Sequence, residues 1–328
     1  MILNIFNGRN HLLQLFIIIA YAALIYFIPV SIADSNGYNP LYDLLINLIR
    51  GNGVLIKLLY IIITLSPIIV THIFLDYLGV IERKNKYFLF IAPLLMFSNK
   101  DAWVISPPLV SLILIVIGST YVLRTTEDDK SMSKLFSATL FFSIASLFYS
   151  VAVLNIVLLL IALNIFKQFN FRDALAIIIS FTLPYIYLFT YYFVTDSFVE
   201  NWSYLGTLFN NIGFDVIIFD TPFETAFEVV LISISVFIIS TVLVNQRSNL
   251  IQVRKYVSFM FLGLLGSIIL LIFAGDNAAF HFTIILFLVA IFHTMYFGGK
   301  IKVWVYEVFI LLFLVHNLFL MWSIYYTN

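Results

Sequence analysis

Apolar runs close to 20 residues long recur from one end of this sequence to the other, and that recurrence leaves few folds open. A helix rising about 1.5 Å per residue needs about 20 such residues to cross a hydrocarbon core about 30 Å thick. The runs lack the polar–apolar alternation of membrane barrel strands, so helices, whose backbone hydrogen bonds are all internal, are the structure they allow. Composition points the same way. Charged residues make up 10% of the 328, against about 25% in soluble domains, and 62% are hydrophobic. That leaves too little polar surface for a water-facing exterior.

The expected spans are 12–33, 54–79, 87–98, 105–123, 135–150, 151–166, 174–195, 226–245, 256–275, 279–298 and 303–325. The predicted architecture is therefore an all-α integral membrane protein. It is a single polytopic domain over 1–328, with about eleven transmembrane helices and one short amphipathic surface helix. Pro67, Pro93, Pro107, Pro108 and Pro184 fall within these spans and are expected to bend them.

With the N-terminus placed in the cytoplasm, 14 of the 17 Lys and Arg residues lie on the cytoplasmic side, and only Arg50, Lys57 and Lys100 lie outside. This is the positive-inside asymmetry. It also decides how residues 135–166 are read. A single long pass there would carry every cation from Lys167 to Lys302 outside, so two short passes are preferred. Ser31-Ile32-Ala33 resembles a cleavage site, but the apolar run before it exceeds the 7–15 residues or so of a signal peptide. An uncleaved first span is expected.

The outer segments are then 34–53, 98–104, 196–225 and 276–281. In the first, Asn39-Pro40 starts a helix on which Leu41, Leu44, Leu45, Leu48 and Ile49 form a stripe suited to the membrane surface, and Gly51-Asn52-Gly53 ends it. The segment 196–225 carries five acidic residues, Trp202 and no cation.

Net charge is zero, which argues against a nucleic-acid surface, and the absence of cysteine excludes disulfides and thiolate chemistry. No phosphate-binding glycine loop, zinc-helix motif or nucleophile elbow is present, and no cofactor is implied. Ionisable residues inside spans point to function by default, because a charge in hydrocarbon is costly. His72 and Asp76 share a helix face, Glu307 opens the last span, and His316-Asn317 lie within it. Each also admits a structural role: a helix end reaching water, a pair with Lys300 or Lys302, or a bond to a neighbouring helix.

The stretch FSIASLFYS…LNIFKQFNFRDALAIIISFTLPYIYLFTYYFVTD, followed by an acidic outer segment, resembles a Bacteroidota family of polytopic inner-membrane proteins of unknown function. The likeness is compositional and covers nearly the whole chain, and it implies no activity. The layout also resembles the membrane core of GT-C glycosyltransferases, which use polyprenyl-phosphate sugars. Asp34 stands where that family's catalytic acid sits, at the outer end of the first span, and 41–50 stand where its surface helix lies. The sequence departs from that pattern in having one acid in place of a pair, a very short outer segment and no large outer domain.

That resemblance implies a lipid-linked-sugar glycosyltransferase of the bacterial inner membrane, with Asp34 as base. Arg50, Lys57 and Lys100 would hold the phosphate, and Asp101, Asp276 and His281 would complete the substrate site. Membrane lipids and a polyprenyl phosphate would be its partners. Two other readings stay open: a non-enzymatic subunit of an envelope export or assembly complex, docking a protein through 196–225, and a transporter.

Overall fold

The computed structural model describes residues 11–34, 39–81, 86–125, 131–166, 170–197, 222–246, 250–298 and 303–327. Among them are twelve α-helices: α1 (His11–Phe27), α2 (Pro40–Ile49), α3 (Gly53–Tyr77), α4 (Tyr87–Met96), α5 (Pro107–Arg124), α6 (Ser131–Phe148), α7 (Asn155–Phe166), α8 (Phe171–Val194), α9 (Pro222–Asn245), α10 (Ile251–Leu271), α11 (Ala278–Phe297) and α12 (Val303–Thr327). Seven of these, α3, α5 and α8 to α12, are long and apolar enough to cross a membrane. The expected acidic segment 196–225 and the cations Arg9, Arg83, Lys84, Lys130, Lys167, Arg247, Lys300 and Lys302 lie wholly or mostly outside the described residues.

Burial runs in the order a lipid solvent requires. Helix α11 is the axis, with 78% of its span buried against 22% for α8 and α9. It packs on α4, α5, α9 and α10. The outward faces of α8 and α9 carry Ile178, Ile186, Phe193, Val229, Val236 and Phe237, all exposed. So much contiguous apolar surface suits hydrocarbon and does not suit water. Many buried hydroxyls bond back to their own helix, as Thr64 does to the Tyr60 carbonyl at 2.7 Å and Thr294 to that of Ala290 at 2.8 Å, while those of Ser66 and Thr71 have no hydrogen-bond partner.

Helix ends follow local sequence. Asn52 Oδ1 accepts from the amides of Val54 and Leu55, both at 3.2 Å, and so caps α3. Gly51, at φ +99°, makes the turn between α2 and α3 that a side chain would strain. Pro107 and Pro108 differ from expectation. They occupy the first turn of α5, where a missing amide proton costs nothing, while Pro67, Pro93 and Pro184 are the prolines inside helices.

The stretch 135–166 is broken. Helix α6 stops at Phe148, a 3-10 turn covers Ser150–Leu154, and α7 follows. The chain reverses there. Tyr149 meets His281 near the start of α11, whereas Phe166, at the far end of α7, accepts from Lys255 Nζ at 3.4 Å near the start of α10.

Candidate functional site

One end of the bundle gathers segments far apart in sequence. Residues Ser31–Ile32, just past α1, pair in parallel with Val104–Ile105. The Ala33 amide extends the pairing to the Ile105 carbonyl at 2.9 Å. The Tyr42 hydroxyl of α2 lies 2.8 Å from the Ala33 carbonyl and 2.9 Å from that of Ile105. The Ile105 carbonyl already accepts from Ala33, so the phenolic proton is best used on the Ala33 carbonyl. Asn39, just before α2, accepts from the Ser150 amide at 2.9 Å and so ties the same end to the α6–α7 turn.

Helix α2 leaves the expected stripe of Leu41, Leu44, Leu45, Leu48 and Ile49 exposed or half-buried, and packs on the bundle through another face. Tyr42 and Ile46 face the protein, while Leu44 and Leu48 point outward. Tyr42 is the anchor of this end.

Asp34 is exposed and follows the paired strand directly. Burial, with the Asp43 and Asp34 carboxylates nearby, pushes the Tyr42 hydroxyl well above its ordinary value. Arg50 is exposed at the end of α2. Lys57 is committed in part: its Nζ donates to the Tyr26 carbonyl at 2.7 Å and sits 4.9 Å from the Tyr26 ring centre. It thereby caps the end of α1, and an ammonium with three donors keeps two more. Lys100 and Asp101 lie on the 3-10 turn Lys100–Trp103, half-buried, and the Asp101 amide is held by Asn99 Oδ1 at 3.1 Å. Asn99 also donates to the Ala279 carbonyl at 3.0 Å, which brings this turn to the start of α11. Asp276 is exposed in the turn preceding α11.

His281 stands apart from these residues. It is buried among α6, α10 and α11, not at the boundary that its position near the start of α11 suggested. Its Nδ1 lies 3.1 Å from the Tyr149 hydroxyl, and its Nε2 lies 2.9 Å from the Ser267 carbonyl and 3.1 Å from Ser267 Oγ. A carbonyl only accepts, so Nε2 carries the ring proton and Nδ1 accepts from Tyr149. Both ring nitrogens are thus used, joining the α6–α7 turn to α10 and α11.

Cavities lie inside the bundle. One, of about 360 Å³, separates α1, α4 and α12 below Trp103. Another, of about 120 Å³, runs among α3, α5, α6, α7, α10 and α11, and His281 lies in its wall. Among the described residues no group of three or more His, Asp or Glu side chains could hold a metal ion.

Three intramembrane groups stand out for their surroundings. Glu228, two turns into α9, is buried with Oε2 lacking a hydrogen-bond partner. His293, in the last turns of α11, bonds Ser235 at 3.0 Å. His316 bonds the Ser98 carbonyl at 3.1 Å and stacks on Phe227. Neither Glu228 nor His293 was among the residues singled out from the sequence, although a carboxylate and an imidazole within apolar runs were signals enough.

The fold and the apolar exterior define the class: an all-α protein of the multi-pass membrane type. Comparison with known protein families, curated proteins and solved structures gives no match.

Proposed function

We propose that this protein handles a polyprenyl-phosphate-linked sugar at the outer face of a bacterial inner membrane, on a bundle of about eleven passes laid out like a GT-C core. The N-terminus is cytoplasmic and the C-terminus outside. The observation that carries the reading is the convergence at one end of the bundle. There the Tyr42 hydroxyl, at 2.8 Å from the Ala33 carbonyl and 2.9 Å from that of Ile105, ties together the strand leading to Asp34, the helix leading to Arg50 and the segment following Lys100–Asp101. The same end carries Lys57, so the three cations expected outside share it with the exposed carboxylate.

In this reading Asp34 takes the proton of an acceptor hydroxyl as its oxygen bonds to the sugar's anomeric carbon. The bond from that carbon to the phosphate oxygen breaks, and the polyprenyl phosphate leaves with the electron pair. Arg50, Lys57 and Lys100 stabilise the charge it gains. Asp101 and Asp276 orient sugar hydroxyls. His281, being buried with both ring nitrogens used, takes no part in holding the phosphate.

The test is sugar transfer from a synthetic polyprenyl-phosphate hexose by purified protein in proteoliposomes. Asp34→Asn is expected to lower transfer by about 100-fold or more while donor binding persists. Transfer unchanged in Asp34→Asn removes the assignment.

A further inference from the structure

The cavity bounded by α1, α4 and α12 borders the cation-bearing end without being part of it. Its wall on α1 runs from Phe16 to Ile25, roughly 14 Å at about 1.5 Å per residue. Leu94, Phe97 and Trp103, all buried, form its floor. Phe16, Leu24 and Leu318 line it and are themselves exposed, so it opens sideways between α1 and α12 toward lipid. Its volume is about 360 Å³. An apolar cavity of about 150 Å³ holds a benzene ring, so this one has room for about a dozen carbons of chain.

The lining is apolar from end to end. Among the described residues no Lys, Arg, Asp or Glu lines it, and the polar side chains that do are those of Tyr21, Trp103 and Asn317. The Tyr21 hydroxyl reaches the Phe90 carbonyl at 3.5 Å, and Asn317 Nδ2 donates to the Leu94 carbonyl at 2.9 Å. Trp103 Nε1 and Asn317 Oδ1 have no hydrogen-bond partner, but both are buried and present no surface to the cavity. A charged head would be stranded in such a space, whereas a hydrocarbon chain would not.

Charge begins at the rim. Trp103 belongs to the same 3-10 turn as Lys100. Leu24 and Ile25 immediately precede Tyr26, whose carbonyl accepts from Lys57 Nζ at 2.7 Å. Two cations thus flank the end of the cavity at Trp103, and a phosphate held there is placed to send its chain between α1 and α12.

We propose that this cavity is a binding site for the hydrocarbon chain of a membrane lipid whose phosphate lies on Lys57 and Lys100. The inference rests on the outer-face reading for the placing of that phosphate alone, and needs neither Asp34 nor sugar transfer. Isoprenoid and acyl chains meet these walls alike, and the experiment tells them apart.

Two probes carry a diazirine near the head of the chain, an isoprenoid phosphate and a phosphatidic acid. An isoprenoid alcohol and a diacylglycerol with the same diazirine are their phosphate-free counterparts. Each is reconstituted with the full-length protein, irradiated and mapped by peptide mass spectrometry. Labelling of Phe97 by at least one phosphate-bearing probe is expected, with about tenfold less by its counterpart, and the probe that labels names the chain. Ala20 lies in the α1 wall, so Ala20→Phe fills the cavity. Labelling of Phe97 is expected to fall about tenfold in that variant, with labelling of lipid-facing Ile178 on α8 unchanged. Ala20→Leu repeats the test should the phenylalanine variant fail to fold. The double variant Lys57→Ala, Lys100→Ala is expected to bring the phosphate-bearing probe down to its counterpart, and a preference that survives it overturns the placing of the phosphate. Equal labelling with and without phosphate, unchanged labelling of Phe97 in the filled variants, or labelling confined to lipid-facing residues overturns the site. Asp34→Asn is expected to leave the label unchanged, so loss of sugar transfer and loss of this site are read separately.

Discussion

Tyr42 decides the strand-bearing end of the bundle by one hydroxyl. Its removal in Tyr42→Phe takes the side-chain donor from the Ala33 carbonyl while leaving the ring in place, and the Ile105 carbonyl still accepts from the Ala33 amide. An acceptor left unpaired costs about 1–3 kcal/mol when buried and less when half-buried, as Ala33 is, which puts this loss at about 1 kcal/mol. The expected result is a destabilisation of that size in reversible denaturation in mixed micelles, and a fall in sugar transfer as the strand before Asp34 loosens. Charged residues in an apolar chain advertise themselves, so Asp34, Arg50, Lys57 and Lys100 could be picked from the sequence. The partner of Lys57 could not be, because the carbonyl it caps lies 31 residues upstream and is fixed only by how α1 meets α3. Tyr42 was equally hidden: its bond to the Ala33 carbonyl, beside that of Ile105, depends on a strand pairing with a segment 63 residues away. His281 shows the converse. Its place in the chain suggested a boundary, while the packing of α6 and α10 over it buries it.

Helices were the most legible level, because each must satisfy its own backbone and so declares itself by length and apolarity. The break near residue 150 was legible too, through the charge count of everything after it. What sequence could not supply was contact between helices. Gly118 of α5 is an instance: a Cβ there would lie 2.8 Å from the Phe142 ring and 3.1 Å from the Ala138 carbonyl of α6. The glycine lets the two helices approach as small residues do in membrane bundles. Gly118→Leu forces them apart and is expected to cost about 1–3 kcal/mol or more, measured by the same denaturation, even though leucine is the better helix former. A gain in stability would show that α5 and α6 do not pack as described. The prolines mark the limit of reading elements alone. Pro107 and Pro108 looked like kinks and are a helix start, a difference of a few residues in where α5 begins.

At the scale of the whole molecule, the charge asymmetry and the alternation of helix ends make one statement about sidedness. The chain has no cysteine, so single substitutions report it directly. Asp276→Cys, exposed before α11, is expected to react with a membrane-impermeant maleimide in intact cells, and Arg254→Cys, exposed near the start of α10, only after permeabilisation. Labelling of both from one side would contradict the orientation.

The central claim is that the cation-bearing outer end holds a lipid-linked phosphate, and native mass spectrometry of the protein extracted in mild detergent tests it most directly. The account predicts a bound polyprenyl phosphate or its sugar-linked form, lost in the triple variant Arg50→Ala, Lys57→Ala, Lys100→Ala. Phospholipid alone, with a second protein in fixed ratio, would contradict it and make this chain a subunit of an assembly instead.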